Sequence, residues 1–367
     1  MKITCTQENL ARALAIVGHS VATRATLPVL SNILITAKNG RIKLTSTDLE
    51  IGVSTWVGGQ VENEGALTVP ARLLVDFVTN NKDPKIDLVA KETTLNLKSD
   101  HFEANIKGID ALEFPAIPEV KDQNLIQIKA KDFVEAAKQT LIAPATDDTR
   151  PVLAGVLFSF KDSSLKMVAT DSYRLAEKKL LLEKKVEPAE VIIPAGSLNE
   201  VLRIIGSAPL SDIAVSINEN QVLFVVGDTQ IVSRLIEGSF PAYEQIIPQA
   251  PKTAITVDTE EMIGVVRMAA LFAKESANNI KLEFQKGRLL AKSVSAQIGD
   301  NISTMPAEVS GPELEIAFNA KYLLDFLSAV GEKNVRIGIT DRFSAGILKP
   351  GKATDYIYII MPLRVEE

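Results

Sequence analysis

The chain has few of the residues from which most metal centres and catalytic triads are built. Its 367 residues include one cysteine, Cys5, and two histidines, His19 and His101. Zinc sites made of closely spaced cysteine and histidine ligands are therefore excluded, and local sequence indicates no histidine-containing triad. A single cysteine forms no internal disulfide, which is typical of a reducing compartment. We expect Cys5, in the first predicted strand, to be a small buried apolar residue.

Long apolar runs and nucleotide-binding glycine motifs are also missing. No apolar run approaches the ~18 residues that span a bilayer, and Met1–Thr4 leads directly into a strand pattern instead of an apolar signal region. The chain contains no P-loop motif and no Gly-x-Gly-x-x-Gly motif after a strand. We therefore expect a cytoplasmic protein that uses no cofactor.

The chain also lacks an excess of positive charge. The formal net charge is −6, while 46% hydrophobic and 23% charged residues are ordinary for a globular protein. A protein that wraps nucleic acid over its whole surface is therefore not expected, although a local basic face is still allowed.

The chain does contain a long internal repeat. The segment Val168–Leu175 (VATDSYRL) resembles the earlier segment Leu44–Ile51 (LTSTDLEI), which places Thr47 and Thr170 123 positions apart. Flanking apolar positions return at nearly the same distance, and a third copy follows. This period and the length of the chain both predict three domains, with boundaries at 1–120, 121–250 and 251–367.

The pattern within each repeat predicts two halves, each made of one strand, one helix and three strands. The predicted fold class is therefore α+β, with three similar domains. Apolar residues at helical spacing predict six helices: Gln7–Val17, Ala71–Val78, Lys131–Leu141, one through Leu198–Ile205, Glu260–Phe272 and Ala320–Val330. Strands with alternating polarity follow each helix, and Asn39-Gly40 predicts a tight hairpin turn.

A repeat array of this kind leaves its terminal strand edges open. Each half has too few strands to bury both faces of a sheet, so pairs of halves must share a core. No capping segment is visible at either end, and exposed strand edges favour unwanted pairing. A second copy placed head to tail would remove the edges, and a closed ring is one geometry that does so.

The predicted helices carry basic residues away from their apolar stripes. These are Arg12, Arg72, Lys138, Arg203, Arg267 and Lys321, with Arg24 just beyond the first helix. In a ring whose helices face the hole, such charges would meet a phosphate backbone without reading bases. Ordinary solvation of helix surfaces is the alternative interpretation.

Catalytic chemistry has little support. Asp147, Asp148 and Asp171 are scattered carboxylates that a metal-dependent hydrolase would use. Capping of turns and solvation in loops is the commoner role of such residues.

Five segments together resemble the bacterial beta sliding clamp family, the processivity subunits of DNA polymerase III. They are TLPVL at Thr26–Leu30, TDLE at Thr47–Glu50, VPAR at Val69–Arg72, RPVLAGVLF at Arg150–Phe158 and MPLR at Met361–Arg364. The resemblance covers the whole chain. It implies a non-enzymatic head-to-tail homodimer, a ring whose helices line a hole that encircles duplex DNA and slides on it.

The resemblance also implies a groove between the second and third domains that binds short peptides of the replicative polymerase, the clamp loader and repair proteins. The matching positions are Leu153, Thr170, Ser172, Tyr173, Arg174, Leu175, Pro241, Gln245, Ile246, Ile359, Met361, Pro362, Leu363 and Arg364. Aliphatic, proline and methionine side chains would bury a peptide's apolar anchors. A plain hairpin whose Leu175 joins the core, and a frayed last strand, are the alternatives.

Some positions depart from the family pattern. Ser172 stands where glycine is common, Gln245 where a basic residue is frequent, and Glu366-Glu367 adds negative charge at the end of the tail. Partner preference is expected to change accordingly. Arg24 matches a DNA-contact position, whereas Asp147 stands where some relatives have a neutral amide, so we expect DNA contact there to be lost.

The DNA-binding and dimer positions complete the prediction. Arg24, Arg72, Lys138, Arg203 and Arg267 are predicted to contact DNA, and ring closure is predicted to join His101 and Phe102 of one copy to Leu271 and Phe272 of the other. The alternation of Phe102 with Ala104 and Ile106 equally allows an inward position for Phe102. The rival functions are a repeat-built scaffold that uses the groove without encircling DNA, and the hydrolase named above.

Overall fold

The structure is a computed structural model that describes residues 1–22, 27–117, 125–147, 149–207 and 212–364. Within these ranges the backbone forms six α-helices and twenty-four β-strands. No helix among the described residues is long and apolar enough to cross a membrane. The order of strand, helix and strands occurs six times, as the repeat predicted.

The first repeat contains two helices and nine strands. They are α1 (Gln7–Val17), α2 (Ala71–Asn80), β1 (Lys2–Thr6), β2 (Asn32–Lys38), β3 (Arg41–Thr47), β4 (Ile51–Val57), β5 (Gly59–Asn63), β6 (Gly65–Pro70), β7 (Lys85–Lys91), β8 (Thr94–Lys98) and β9 (Glu103–Lys107). The side chain of Thr6 caps α1 by accepting a hydrogen bond from the Asn9 amide, and Leu10 and Leu14 are buried beneath the helix.

The middle repeat contains two helices and six strands. They are α3 (Ala130–Thr140), α4 (Ala195–Ser207), β10 (Ile126–Ile128), β11 (Gly155–Thr170), β12 (Arg174–Pro194), β13 (Ile213–Ile217), β14 (Gln221–Val226) and β15 (Thr229–Arg234). Strand β12 is 21 residues long and runs through the boundary between the two halves of the repeat.

The third repeat contains two helices and nine strands. They are α5 (Thr259–Ala273), α6 (Ala320–Ala329), β16 (Thr253–Asp258), β17 (Asn279–Gln285), β18 (Arg288–Ser295), β19 (Gly299–Pro306), β20 (Glu308–Ser310), β21 (Leu314–Asn319), β22 (Asn334–Ile339), β23 (Gly346–Pro350) and β24 (Tyr356–Ile360). Asp258 and Asn319 cap α5 and α6 with side-chain oxygens.

Most predicted elements are confirmed, and the differences have physical causes. Cys5 is buried at 3% exposure, and Asn39 and Gly40 adopt the positive φ angles of a tight hairpin. Strand β19 was missed because its sequence, GDNISTMP, lacks apolar alternation. The strand that contains Ala104 and Ile106 begins at Glu103, and Phe102 is 49% exposed, so the inward position allowed for Phe102 is wrong.

Contacts divide the chain into two compact units, and the division between them falls within the middle repeat. The first comprises Met1–Lys131 and Gly196–Leu235, and the second comprises Asp132–Ala195 and Ile236–Glu367. The middle repeat therefore contributes one half to each unit.

In the first unit, one sheet joins strands of the first and middle repeats. Its order is β10-β13-β14-β15-β4-β3-β2-β6, and a five-stranded sheet has the order β5-β1-β7-β8-β9. The joining pair, β15 and β4, is antiparallel with Thr229 opposite Thr55. Their buried hydroxyls lie 3.0 Å apart, so the polar groups at this junction are hydrogen-bonded.

The second unit repeats this arrangement with the middle and third repeats. A seven-stranded sheet has the order β11-β12-β24-β23-β22-β16-β20, and a four-stranded sheet has the order β19-β18-β17-β21. The joining pair, β12 and β24, is antiparallel from Arg174 opposite Ile360 to Lys178 opposite Tyr356. All the described residues predicted to form the peptide groove belong to this unit.

Candidate functional site

A tight polar turn connects β11 to β12 at the start of the joining strand. The Asp171 carboxylate accepts hydrogen bonds from the amides of Tyr173 (2.9 Å) and Arg174 (3.0 Å). The Thr170 hydroxyl donates to the Arg174 carbonyl at 2.7 Å and accepts from the Ser172 amide. Ser172 has a φ of 78°, the left-handed conformation in which glycine costs least, which explains why glycine suits this position.

The same turn occurs one repeat earlier with the same bonds. The Asp48 carboxylate accepts from the amides of Glu50 (3.0 Å) and Ile51 (2.8 Å), and the Thr47 hydroxyl donates to the Ile51 carbonyl. Leu49 has a φ of 79°. The internal repeat therefore extends to individual hydrogen bonds, and Ile51 occupies the position of Arg174.

Arg174 is buried at 7% exposure, although the family resemblance places it among the peptide contacts. Its Nε donates to Asp171 at 3.0 Å, its Nη1 donates to Asp325 on α6, and its guanidinium lies 4.3 Å from the centroid of the Tyr322 ring. Burial alone would lower the pKa of Arg174, but Tyr358, Asp325 and Asp171 outweigh burial and raise that pKa. The side chain is therefore a charged link between the turn and α6.

The last residues of the chain continue along this turn. After the pairing of Arg174 with Ile360, the Met361 amide donates to the Tyr173 carbonyl at 2.8 Å. The Leu363 amide donates to the Ala317 carbonyl, also at 2.8 Å. The alternative of a frayed last strand is thus wrong as far as Leu363, because the amides of Met361 and Leu363 are hydrogen-bonded.

A third segment, Pro241–Ile247, lies against the same core through Tyr243. This ring is 8% exposed, and its hydroxyl donates to Glu177 on β12 at 2.6 Å. Burial, reinforced by Glu177, raises the pKa of Tyr243 well above its usual value. The ammonium of Lys166 donates to Glu244 at 2.8 Å. Tyr243 therefore anchors the short helical turn that carries Gln245 and Ile246, both of which are exposed.

An apolar cluster lies beneath these three segments. Its buried members are Leu157, Val168, Leu175, Ile192, Tyr243, Ile347 and Ile359, and Val152, Phe240 and Ala345 are among the partly buried residues packed against it. Leu153, Leu175 and Ile359 are at most 2% exposed, so these predicted contacts form part of the core.

Three apolar side chains on the segments that contribute to this cluster are exposed. Tyr173 is 61% exposed, Ile246 is 50% exposed and Met361 is 40% exposed. Pro241 and Arg364 are also exposed, while Pro362 and Leu363 are half-buried. We call the surface formed by Tyr173, Ile246 and Met361 the apolar rim. Sequence reasoning missed Tyr243 and Ile347, whose roles arise from contacts distant in sequence.

Comparison with known proteins matches all three repeats to one family. Family models of the three domains of the DNA polymerase III beta subunit match this chain: the N-terminal domain matches residues 1–118, the central domain residues 127–242 and the C-terminal domain residues 244–364. The beta sliding clamp of Synechococcus elongatus is 33% identical over 376 residues, with 100% of each chain covered.

The chain belongs to the beta sliding clamp family.

Solved clamp structures have the same fold. The sliding clamp of Bacillus subtilis has a TM-score of 0.96 at 28% identity, and a Pseudomonas aeruginosa clamp bound to griselimycin has a TM-score of 0.94 at 28% identity. Each match covers 100% of both chains. The predicted fold class is confirmed, and so is the function: the protein is a DNA sliding clamp of replication.

Four of the five predicted DNA-contact residues of the clamp are described, and these four lie on helices. Arg24 lies outside the described residues. Arg72 on α2, Lys138 on α3 and Arg267 on α5 are exposed. Arg203 on α4 is different: its guanidinium binds Glu200 and donates to the carbonyls of Ala15 and Ile16 at the end of α1. This side chain already holds two helices together, which leaves it less available to a phosphate.

The predicted closure residues of the clamp are mostly exposed. Leu271 is 53% exposed and Phe272 is half-buried. His101 Nδ1 lies 2.7 Å from Asp83 Oδ1, and the His101 amide donates to the other oxygen of that carboxylate at 2.8 Å. Asp83 also accepts from the Ser99 hydroxyl, so this carboxylate fixes the loop that presents Phe102.

The carboxylates of the hydrolase alternative are already engaged. Asp147 accepts from the Thr149 amide at 3.0 Å and Asp171 binds Arg174, while Asp148 lies outside the described residues. In the ranges that the structure describes, no group of three or more His, Cys, Asp or Glu side chains is placed to hold a metal ion.

The two copies of the turn allow a matched test of the Arg174 link. Asp48→Ala removes two hydrogen bonds at an exposed turn, and we expect it to cost about 1–2 kcal/mol of unfolding free energy. Asp171→Ala removes the same bonds and also breaks a buried ion pair, so we expect a loss of about 3 kcal/mol or more. Urea unfolding followed by circular dichroism measures both, and equal losses would contradict the role assigned to the ion pair.

The His101–Asp83 pair predicts a pH-dependent stability. The hydrogen bond to His101 lowers the pKa of Asp83 to about 2, and the hydrogen bond to Asp83 raises the pKa of His101. The contribution of His101 is complete below its unfolded pKa of about 6.5 and is lost as the pH rises through the raised value. The contribution of Asp83 is present above about pH 4 and is lost as the pH falls towards 2.

We therefore expect His101→Gln to lower the Tm of the clamp more at about pH 6 than at about pH 9. Thermal unfolding at the two pH values measures this difference. His19→Gln is the matched change at the other histidine. A decrease in Tm of the same size at both pH values for His101→Gln would rule out the charged pair as its cause.

Proposed function

We propose that the clamp acts as a head-to-tail homodimer, a ring closed around duplex DNA, and that it has no catalytic activity of its own. Each chain contributes three domains, 1–120, 121–250 and 251–367. The observation that carries this proposal is that strands β9 and β19 are edge strands of their sheets. Open edges expose unpaired backbone groups, and pairing with a second copy would satisfy them.

The side chains near these edges suit an interface. Phe102 beside β9 is 49% exposed, and Leu271, Ile298 and Ile302 beside or on β19 are 53%, 58% and 61% exposed. Apolar side chains of this size are costly to leave in water and are enriched in the centre of homodimer interfaces. We infer that the β9 edge of one copy meets the β19 edge of the other, with His101, Phe102, Leu271 and Phe272 at the contact.

Weak attraction to phosphates inside such a ring would come from Arg24, Arg72, Lys138 and Arg267. Arg203 is the weakest candidate, because its guanidinium already donates hydrogen bonds to the end of α1. Phosphate contacts of this kind carry no sequence information, which suits a protein that slides. An acidic protein can work on DNA in this way because the ring holds DNA by topology.

The apolar rim and its surroundings are the proposed docking site for short peptides of the replicative polymerase, the clamp loader and repair proteins. Supporting this, exposed Tyr173, Ile246 and Met361 lie on segments that contribute to a buried cluster, and methionine adapts to several partners. The related Pseudomonas aeruginosa clamp bound to griselimycin supports a ligand site in this family.

Retention on circular DNA tests the ring. The protein is loaded by a clamp loader onto nicked circular plasmid, and the plasmid is then cut once. We expect retention on the circle and rapid loss after the cut, because only topology holds the ring. Phe102→Asp should abolish retention, whereas Leu112→Asp, at another exposed apolar residue of the first repeat, should not. Equal retention before and after the cut would favour the scaffold that never encircles DNA.

Removal of the apolar rim tests the docking site. We expect Tyr173→Ser together with Met361→Ser to weaken binding of a labelled peptide from the cognate replicative polymerase by about tenfold or more, because anchors at such sites dominate affinity. Fluorescence anisotropy measures the dissociation constant. Leu112→Ser, at a side chain that is 93% exposed, is the matched control. Unchanged affinity in the double variant would place the docking site elsewhere.

A further inference from the structure

The two copies of the polar turn show that Arg174 is not needed to build it. The turn at Thr47–Ile51 has the same carboxylate and hydroxyl bonds with Ile51 in the equivalent position. Arg174 therefore does something at the second copy that the fold of the turn does not require. Burying a cation costs free energy unless its partners compensate, so the change from an aliphatic residue to arginine calls for an explanation.

The surroundings of Arg174 exclude most direct contact with a partner. Its side chain is 7% exposed, and its charge is matched by Asp171 on one side and Asp325 on the other. The Tyr322 ring lies across the guanidinium. A peptide on the surface would find little of this side chain to touch.

Its partner Asp325 belongs to a rigid part of the unit. The next residue, Phe326, is fully buried and stacks on Tyr356 and Tyr358 of β24, with ring centroids 5.7 Å and 5.2 Å apart. The Tyr358 hydroxyl donates to the Tyr322 carbonyl at 3.0 Å, which ties α6 to β24 a second time. Asp325 is therefore a fixed point against which the turn is held.

The polar turn also sets the position of the apolar rim. Tyr173 precedes Arg174 directly, and its carbonyl accepts the hydrogen bond from the Met361 amide. Two of the three exposed rim residues, Tyr173 and Met361, are thus joined at the end of the β12–β24 ladder that Arg174 begins. A displacement of the turn would move both.

We propose that Arg174 is a positioning residue that fixes the apolar rim by holding the turn against α6, and that it does not itself recognise the peptide. This inference rests on the proposed peptide-docking function of the same surface. A longer, planar guanidinium suits the role because it reaches two carboxylates at fixed angles, which an ammonium does not. Such preorganisation lowers the entropic cost of ordering the rim on binding.

Two labelled short peptides with leucine and phenylalanine anchors, one flanked by aspartates and one by asparagines, test the proposal by fluorescence anisotropy. Arg174→Met should weaken both by about the same factor, roughly tenfold, at low and high salt alike. Arg174→Lys should give an intermediate loss. A loss confined to the acidic peptide and removed by salt would mean that Arg174 contacts the peptide, and it would overturn the proposal.

Arg150→Met is the matched charge control. Arg150 is exposed and donates to the Ser172 hydroxyl at 2.9 Å on the same turn, so its removal deletes a cation without cutting the link to α6. We expect Arg150→Met to weaken binding less than Arg174→Met does. Its effect should be greater on the acidic peptide than on the neutral one. Asp325→Asn should reproduce the charge-independent loss of Arg174→Met, and the double variant should be no worse than either single one. Additive losses would contradict a shared link.

Amide hydrogen exchange of the unliganded protein gives a readout that needs no peptide. Arg174→Met and Asp325→Asn should each speed exchange of the Met361 amide by about tenfold and leave the Ile51 turn unchanged. Unaltered exchange at Met361 would overturn the positioning role. If the wild-type protein binds neither peptide, the docking function fails, and exchange still decides whether Arg174 holds the tail.

Discussion

Antiparallel pairing across the boundaries of the repeats is the constraint on which the rest of the structure depends. A half of one helix and a few strands cannot cover its own sheet edges, and unpaired edges are costly and prone to aggregation. The middle repeat meets this constraint twice, through β15 against β4 in the first unit and β12 against β24 in the second. Contacts therefore divide the chain within the middle repeat and not at its ends. Among the described residues β9 and β19 are edge strands, as are the end strands of the other sheets, and the exposed apolar side chains beside these two are the reason to expect a second copy there.

The candidate docking surface lies where one of these junctions ends. At the start of the β12–β24 ladder, the turn, the tail and the segment around Tyr243 come together over one apolar cluster. Each segment is held by its own hydrogen bond: the Arg174 amide donates to Asp171 in the turn, the Met361 amide donates to the Tyr173 carbonyl, and the Tyr243 hydroxyl donates to Glu177. A surface built in this way stays apolar and ordered without a partner. That combination suits recognition of short peptides, because the protein has already lost the conformational entropy that binding would otherwise cost.

Much of the fold could be predicted from the sequence because its signals are local. Apolar stripes locate all six helices to within a few residues, and Asn39-Gly40 locates a hairpin. Strand β19 could not be found, because an edge strand with polar residues on both faces has no alternation to detect. The continuity of β12 was missed because the repeat pattern placed the start of a new half at Val191, inside the strand.

The candidate site was harder to predict than the fold because its decisive contacts join distant residues. Arg174 and Asp325 are 151 positions apart and Tyr243 and Glu177 are 66 apart, and no local pattern indicates either pair. Family resemblance located the segments of the site without distinguishing surface from core, so buried Leu153, Leu175 and Ile359 were grouped with exposed Tyr173 and Met361. The comparison of Ile51 with Arg174 shows what the buried arginine adds to the turn. The turn at Ile51 has no such charge. The turn at Arg174 carries a buried guanidinium that binds Asp171 within the turn and Asp325 on α6, so it links two elements that the backbone of the turn alone does not connect.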